Sequence, residues 1–266
     1  MEDLILQAGR LASEGVRELI LVAQETTLYG TDIYKKKYLP ELLKELVKVE
    51  GIEWIRILYC YPEEITDELI EVMASEDKIC KYLDLPIQHA SDSILRRMAR
   101  RTMQSQIRDI IAKLRKRIPD ITLRTTLITG FPGETKEDFE ELKGFVKDMR
   151  FDKLGVFTYS AEEGTVAEKF DNHIDENLKE ERRDEIMLLQ QEISKNKLKN
   201  MVGKKLKVLI EGKLNDEDIY IGRSYMDIPG VDGYIFVNSE FQHISGDFVD
   251  VVVTGSSEYD LIGELA

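Results

Sequence analysis

Cysteine and histidine are scarce in this chain: two of the first, Cys60 and Cys80, and three of the second, His89, His173 and His243. The two cysteines lie twenty residues apart, and neither has another Cys or His at metal-ligand spacing, so both read as buried or unpaired thiols. No apolar run approaches the ~18 residues that a membrane-spanning helix requires. Met1-Glu2-Asp3 lacks the basic start and apolar core of a secretion signal, which makes the cytoplasm the expected location. Positive charge is also short, with 37 Lys and Arg against 51 Asp and Glu and a formal net charge of −14. Such a balance repels phosphate backbones and favours basic or neutral partners, unless it merely solvates the surface. Internal repeats and low-complexity segments are lacking too.

What is there is an ordinary globular balance, 42% hydrophobic and 33% charged over 266 residues, enough for one large domain or two unequal ones. Helical periodicity over 2–14, 39–49, 65–74, 92–99, 105–117 and 135–149 alternates with apolar strand-like runs over 18–23, 53–59, 81–86, 122–129 and 154–159. Strands alternating with helices predict an α/β fold: a parallel sheet with right-handed crossovers, forming a partial TIM-like barrel over 1–174. The chain opens on a helix where such a barrel opens on a strand, so a preceding strand is expected. Residues 175–202 read as a charged helical connector. From 203 to 266 the period changes to two over five short runs separated by turn residues, which predicts a small antiparallel β-barrel.

In a (βα) barrel, function sits just past the strands. The segments there are Gln24-Glu25-Thr26-Thr27, Tyr59-Cys60-Tyr61-Pro62, Gln88-His89-Ala90-Ser91, Gly130-Phe-Pro-Gly-Glu-Thr135 and Tyr159-Ser160. Each has a structural explanation as well. Thr135 with Glu137 and Asp138 makes a helix start, His89 fits a satisfied core histidine, and Gln24 and Glu25 fit loop polar groups. The coincidence of polar side chains after every strand favours a ligand with dispersed donors and acceptors over an apolar floor.

These segments, with Leu95-Arg-Arg-Met-Ala-Arg100, Leu123-Arg-Thr-Thr-Leu-Ile-Thr-Gly130 and Phe157-Thr-Tyr-Ser-Ala-Glu-Glu-Gly-Thr165, strongly resemble the methylthiotransferase branch of the radical S-adenosylmethionine (SAM) superfamily. The Ala-Gln-Glu-Thr-Thr loop, the Gln-His pair and Tyr-Ser-Ala-Glu-Glu-Gly-Thr look like the branch that modifies ribosomal protein uS12. Tyr220-Ile-Gly-Arg-Ser224 and Ile228-Pro-Gly-Val-Asp-Gly233 are similar to a TRAM domain. The resemblance implies that Gln24 and Glu25 meet the methionine amino group of SAM and that Gln88 and His89 face SAM or substrate. It further implies that Arg100 or Arg124 pairs with the methionine carboxylate, that Ile128 and Gly130 lie against adenine, and that Phe157 and Tyr159 line the last strand near the base. The implied activity is transfer of a methylthio group to the β-carbon of an aspartate in uS12, with SAM and two 4Fe-4S clusters as cofactors. SAM cleaved at the reduced cluster abstracts a hydrogen, sulfur is attached, and a second SAM supplies the methyl.

One departure from the family pattern is large. The family carries a Cys-x3-Cys-x2-Cys loop and three further N-terminal cysteines, whereas Cys60 and Cys80 match neither spacing nor location. A truncated chain is therefore expected, one that binds no cluster, holds no metal and is inactive as it stands. A sister branch methylthiolates an adenosine of tRNA. The 203–266 segment carries five bases against twelve acids, a balance of −7 that fits a basic ribosomal-protein loop better than RNA. Two further readings stay open: a noncatalytic barrel-TRAM binding protein, and a phosphate-binding lyase, for which a second Gly-rich loop and a strand-end lysine are missing.

Overall fold

A computed structural model describes residues 1–214 and 217–266; Asp216, counted above among the acids of the second domain, lies outside the described residues. Five parallel strands stand side by side in chain order: β1 (Glu18–Leu21), β2 (Trp54–Ile57), β3 (Ile79–Asp84), β4 (Thr122–Thr129) and β5 (Lys153–Thr158). Successive crossovers of one hand generate that order, and it leaves an open sheet.

The helices are α1 (Glu2–Ser13), α2 (Leu39–Leu46), α3 (Asp67–Ser75), α4 (Asp92–Arg97), α5 (Gln104–Arg117), α6 (Lys136–Met149) and α7 (Glu176–Lys199). Their starts follow from local chemistry. The Thr66 hydroxyl accepts from Leu69 N at 3.2 Å ahead of α3, and Thr135 and Asp138 cap α6 reciprocally. Alternation along the strands divides the sheet into two faces. One face carries Ile55, Ile57, Leu83, Leu123 and Leu127, which bury against Leu43, Met73, Leu114 and Phe145 from the helices. The other carries Trp54, Leu58, Cys80 and Tyr82, which form a separate cluster with Leu209 and Ile228 of the second domain.

The segment expected as a connector folds as α7. It contributes Ile186 and Ile193 to the core of the first domain and Leu198 to the core of the second. Strands β6 (Lys205–Lys213), β7 (Ile219–Arg223), β8 (Ile235–Asn238), β9 (Phe248–Ser256) and β10 (Leu261–Leu265) then close a barrel in the order β10-β8-β7-β6-β9 around Val208, Ile210, Tyr220, Val237 and Val251. The barrel is not wholly antiparallel: β8 and β10 pair in parallel, with Ile235 opposite Leu261. An odd number of strands cannot alternate in direction around a closed ring, so one seam must be parallel.

Candidate functional site

Every strand of the open sheet carries one charged residue on the face away from the core helices: Glu18, Arg56, Asp84, Arg124 and Lys153. Buried charges need partners, and most of these partners come from the second domain. Arg56 Nε donates to Glu18 at 2.9 Å and Arg56 Nη1 to the Tyr225 carbonyl at 2.6 Å. Arg223 Nη2 donates to the other oxygen of Glu18 at 2.7 Å, and its Nε pairs with Glu211. Lys153 pairs with Asp227 at 2.6 Å. Burial by itself would lower the Lys153 pKa, but the facing Asp227 and Asp232 raise it. Trp54 meets Phe248 edge-on at 4.8 Å and seals the N-terminal end of the sheet.

Toward the C-terminal strand ends the same face opens. Arg124 Nη1 donates to Asp84 at 3.0 Å, and its Nε lies 3.7 Å from Asp232. Burial opposes the charged form of Arg124, but Tyr82, Asp84 and Asp232 around it raise its pKa. Phe157 is 63% exposed and Val22 60% exposed, leaving apolar surface at the mouth. After β1, Gln24 is exposed, whereas the half-buried Glu25 accepts from Thr27 N at 3.1 Å and Tyr61 N at 2.9 Å. Burial raises the Glu25 pKa more than these hydrogen bonds lower it.

A second opening lies beside the ends of β3 and β4, a cavity of about 570 Å³ lined by Gln88, Arg97, Arg100, Ile128, Phe131 and Phe170 among others. Gln88 adopts the left-handed φ of 70°, and its backbone bonds to Thr126 and Ile128 on β4. Arg100 donates to the Pro86 carbonyl at 2.9 Å and stacks over Tyr61 at 4.4 Å.

Three residues that the resemblance sets against SAM lie in the interior instead. His89 is fully buried; its Nδ1 accepts from Ser91 N at 2.9 Å, and its Nε2 lies 3.5 Å from Glu134 without a hydrogen-bond partner among the described residues. Gly130 has φ +74°, and a Cβ there would stand 2.2 Å from Lys179 Cγ, so the missing side chain makes room for α7. Tyr159 is 8% exposed, its hydroxyl lacks a partner among the described residues, and its ring packs edge-on against Phe131 at 5.1 Å. Glu134 organises this corner, accepting from Gly130 N at 2.8 Å and from Arg182 at 2.6 Å.

The structure thus groups Arg124 and Phe157 on the open face, Gln24 and Glu25 at the β1 loop, and Gln88, Arg100 and Ile128 around the neighbouring cavity. Motif reading missed Asp84, Tyr82, Asp232, Glu134 and Arg182. The signal for the sheet residues was available as a charged side chain within each apolar strand.

Comparison with known proteins adds lineage to this geometry. The model of the radical SAM superfamily matches residues 1–146, more than half of the chain. The chain belongs to the radical SAM superfamily. A TRAM domain model matches residues 202–266. A protein of Lachnoclostridium phytofermentans named ribosomal protein uS12 methylthiotransferase RimO is 60% identical over 99% of this chain and 60% of its own length. One of the same name from Clostridium botulinum (strain Langeland) is 56% identical over 98% of this chain and 58% of its own length. The chain therefore spans about three fifths of the curated relatives it matches. Coproporphyrinogen III oxidase from Escherichia coli shares the fold, with a TM-score of 0.54 at 19% identity over 72% of this chain and 46% of that one.

Radical SAM membership implies SAM and a 4Fe-4S cluster, and the two groups fare differently here. The open face suits SAM, with an unpaired donor on Arg124, the Glu25 carboxylate and the bare Phe157 ring. The described residues do not suit a cluster. Among them no three His, Cys, Asp or Glu side chains are placed to hold a metal, and both thiols are buried. Burial raises the Cys80 pKa to about 12 and that of Cys60 well above the ordinary thiol value, which keeps both protonated.

Proposed function

We propose that the chain is the barrel-and-TRAM portion of a cytoplasmic methylthiotransferase that acts on an aspartate β-carbon of ribosomal protein uS12. The observation that carries this reading is sequence identity of 60% running through both domains to a relative with that named activity. We divide the chain as 1–174, 175–202 and 203–266, with α7 shared by the two cores. Bound SAM would supply the hydrogen-abstracting group and the methyl.

The chain's own residues hold and shield that ligand. Glu25 and Gln24 take the ammonium, and binding a cation there reverses the upward pKa shift that burial imposes on Glu25. Arg124 offers its remaining N–H to the carboxylate. Phe157 presents a face to adenine, while the Gln88 backbone, Ile128 and Arg100 line the adjoining cavity. His89, Gly130 and Tyr159 support that wall from behind.

The substrate choice is supported by charge. Arg223 and Asp227 are buried at the domain junction, and Lys207 pairs with Glu53. The exposed charges of the second domain are Glu217, Asp218, Glu240, Asp250 and Glu264 against Lys204, Lys205, Lys207 and Lys213, and with the half-buried Glu258, Asp247 and Asp260 the balance stays acidic, which favours a basic protein loop over RNA. The test is binding of a uS12 loop peptide and of tRNA to this chain at low salt. Peptide binding that weakens with salt is expected; tighter binding of tRNA would overturn the assignment.

A further inference from the structure

Arg124 stands in register between Asp84 on β3 and Lys153 on β5. The sheet alone would give this guanidinium one carboxylate on one side and a like charge on the other, an unfavourable neighbour on a sheet face. The second domain changes that balance. Asp227 neutralises Lys153 at 2.6 Å, and Asp232 comes to the Nε side of Arg124 at 3.7 Å. We infer that Asp232 is a positioning residue for Arg124, so that the second domain sets the geometry of a group in the first domain's site.

Asp232 is itself held rigidly. Its side chain is 5% exposed, and one oxygen accepts from Tyr82 OH at 2.8 Å and from Ile228 N at 3.0 Å. The other oxygen is left for Arg124. On the far side, Arg124 Nη1 donates to Asp84 at 3.0 Å and to Thr126 at 3.3 Å. Asp84 in turn accepts from Tyr59 N at 3.2 Å, at the end of β2, two residues before the Tyr61 N–H that Glu25 holds. A buried chain of contacts therefore runs from the second domain's 228–233 loop through Asp232, Arg124 and Asp84 to the strand-end loops. Held through Nη1 by Asp84 and Thr126 and faced by the Asp232 carboxylate 3.7 Å from Nε, Arg124 has Nη2, beside Gly155, free of any protein hydrogen bond among the described residues. The consequence for SAM rests on the function proposed above; the clamping does not.

The test uses protein labelled with nitrogen-15 arginine, with the Arg124 Nε–H signal assigned by its loss in Arg124→Lys. In Asp232→Ala the exchange of that proton with water should rise about tenfold, and the affinity of the chain for SAM, measured by calorimetry, should fall by about the same factor. Asp232→Asn keeps the acceptor for Tyr82 and Ile228 and removes the charge; it should show a smaller effect of the same sign, and it serves if the alanine variant fails to fold. Asp227→Asn loosens the same domain contact at Lys153 and should leave the Arg124 signal unchanged. An unchanged Arg124 signal in both Asp232 variants, or an equal change in Asp227→Asn, would overturn the positioning role. Faster Arg124 exchange in Asp232→Ala, combined with unaltered SAM affinity in Arg124→Gln, supports the positioning role and instead refutes the pairing of Arg124 with SAM.

Discussion

Replacing Arg182 by leucine should destabilise the chain more than any exposed substitution, because it strands a buried carboxylate. Arg182 Nη1 reaches Glu134 Oε1 at 2.6 Å and the Glu134 carbonyl at 3.2 Å, and the Glu134 side chain is completely buried. Without Arg182, Glu134 keeps one good donor, Gly130 N, while His89 Nε2 stands 3.5 Å away. Breaking a buried ion pair by removing one partner costs about 3–5 kcal/mol. The stacking of the guanidinium on Phe139, at 5.3 Å, is partly replaced by the leucine side chain. With an m-value of about 3 kcal/mol per molar urea, the unfolding midpoint should drop by about 1 M or more. The assay is urea unfolding followed by circular dichroism at the helical band. A double variant, Glu134→Leu with Arg182→Leu, removes both charges and should recover most of the loss, giving a coupling energy of the same order. A midpoint shift worth under about 1 kcal/mol for Arg182→Leu, or a double variant as unstable as the sum of the singles, would refute the reasoning.

Other outcomes follow from the same structure. Burial would raise the Asp138 pKa, but hydrogen bonds from Ser91, Ser93 and Thr135 outweigh it and bring the pKa to about 2 from 3.8. The stability this contributes is present above pH 3.8 and lost as pH falls toward 2, so an Asp138→Asn variant should lose less stability over that window in acid titrations followed by circular dichroism. Neither Cys60 nor Cys80 should react with a charged disulfide reagent in the native state, and both should react in urea; rapid native labelling would contradict their burial. Phe157→Ala removes an exposed ring, so melting should change little while binding of an adenosine ligand weakens, measurable by calorimetry.

How far the sequence carries this account differs between fold and site. The strand and helix order came through because each βα unit has a clean change of period, and because Thr66, Thr135 and Asp175 mark three helix starts. The parallel seam between β8 and β10 is a property of barrel closure, which local pattern does not report. In the site, motif position placed Glu25 and Gln88 just past strand ends, and the resemblance offered Arg124, which lies early in β4, but neither gave side-chain direction. His89 and Gly130 follow their strands as closely as Gln88 does, yet they turn inward because Glu134, Arg182 and Lys179 on later segments complete their surroundings. The pairing of Lys153 with Asp227 spans 74 residues and depends on how the second domain docks. Strand charges signal that partners exist; only the folded arrangement says which ones.

The most direct test of the central claim is mass spectrometry of uS12 from cells that carry or lack the gene encoding this chain. Where that gene supplies the whole methylthiotransferase of which this chain is the proposed portion, the account predicts a uS12 peptide bearing one methylthio group on an aspartate in the first case and the unmodified peptide in the second. Unmodified uS12 in both, with a methylthio-adenosine in tRNA that disappears along with the gene, would contradict it.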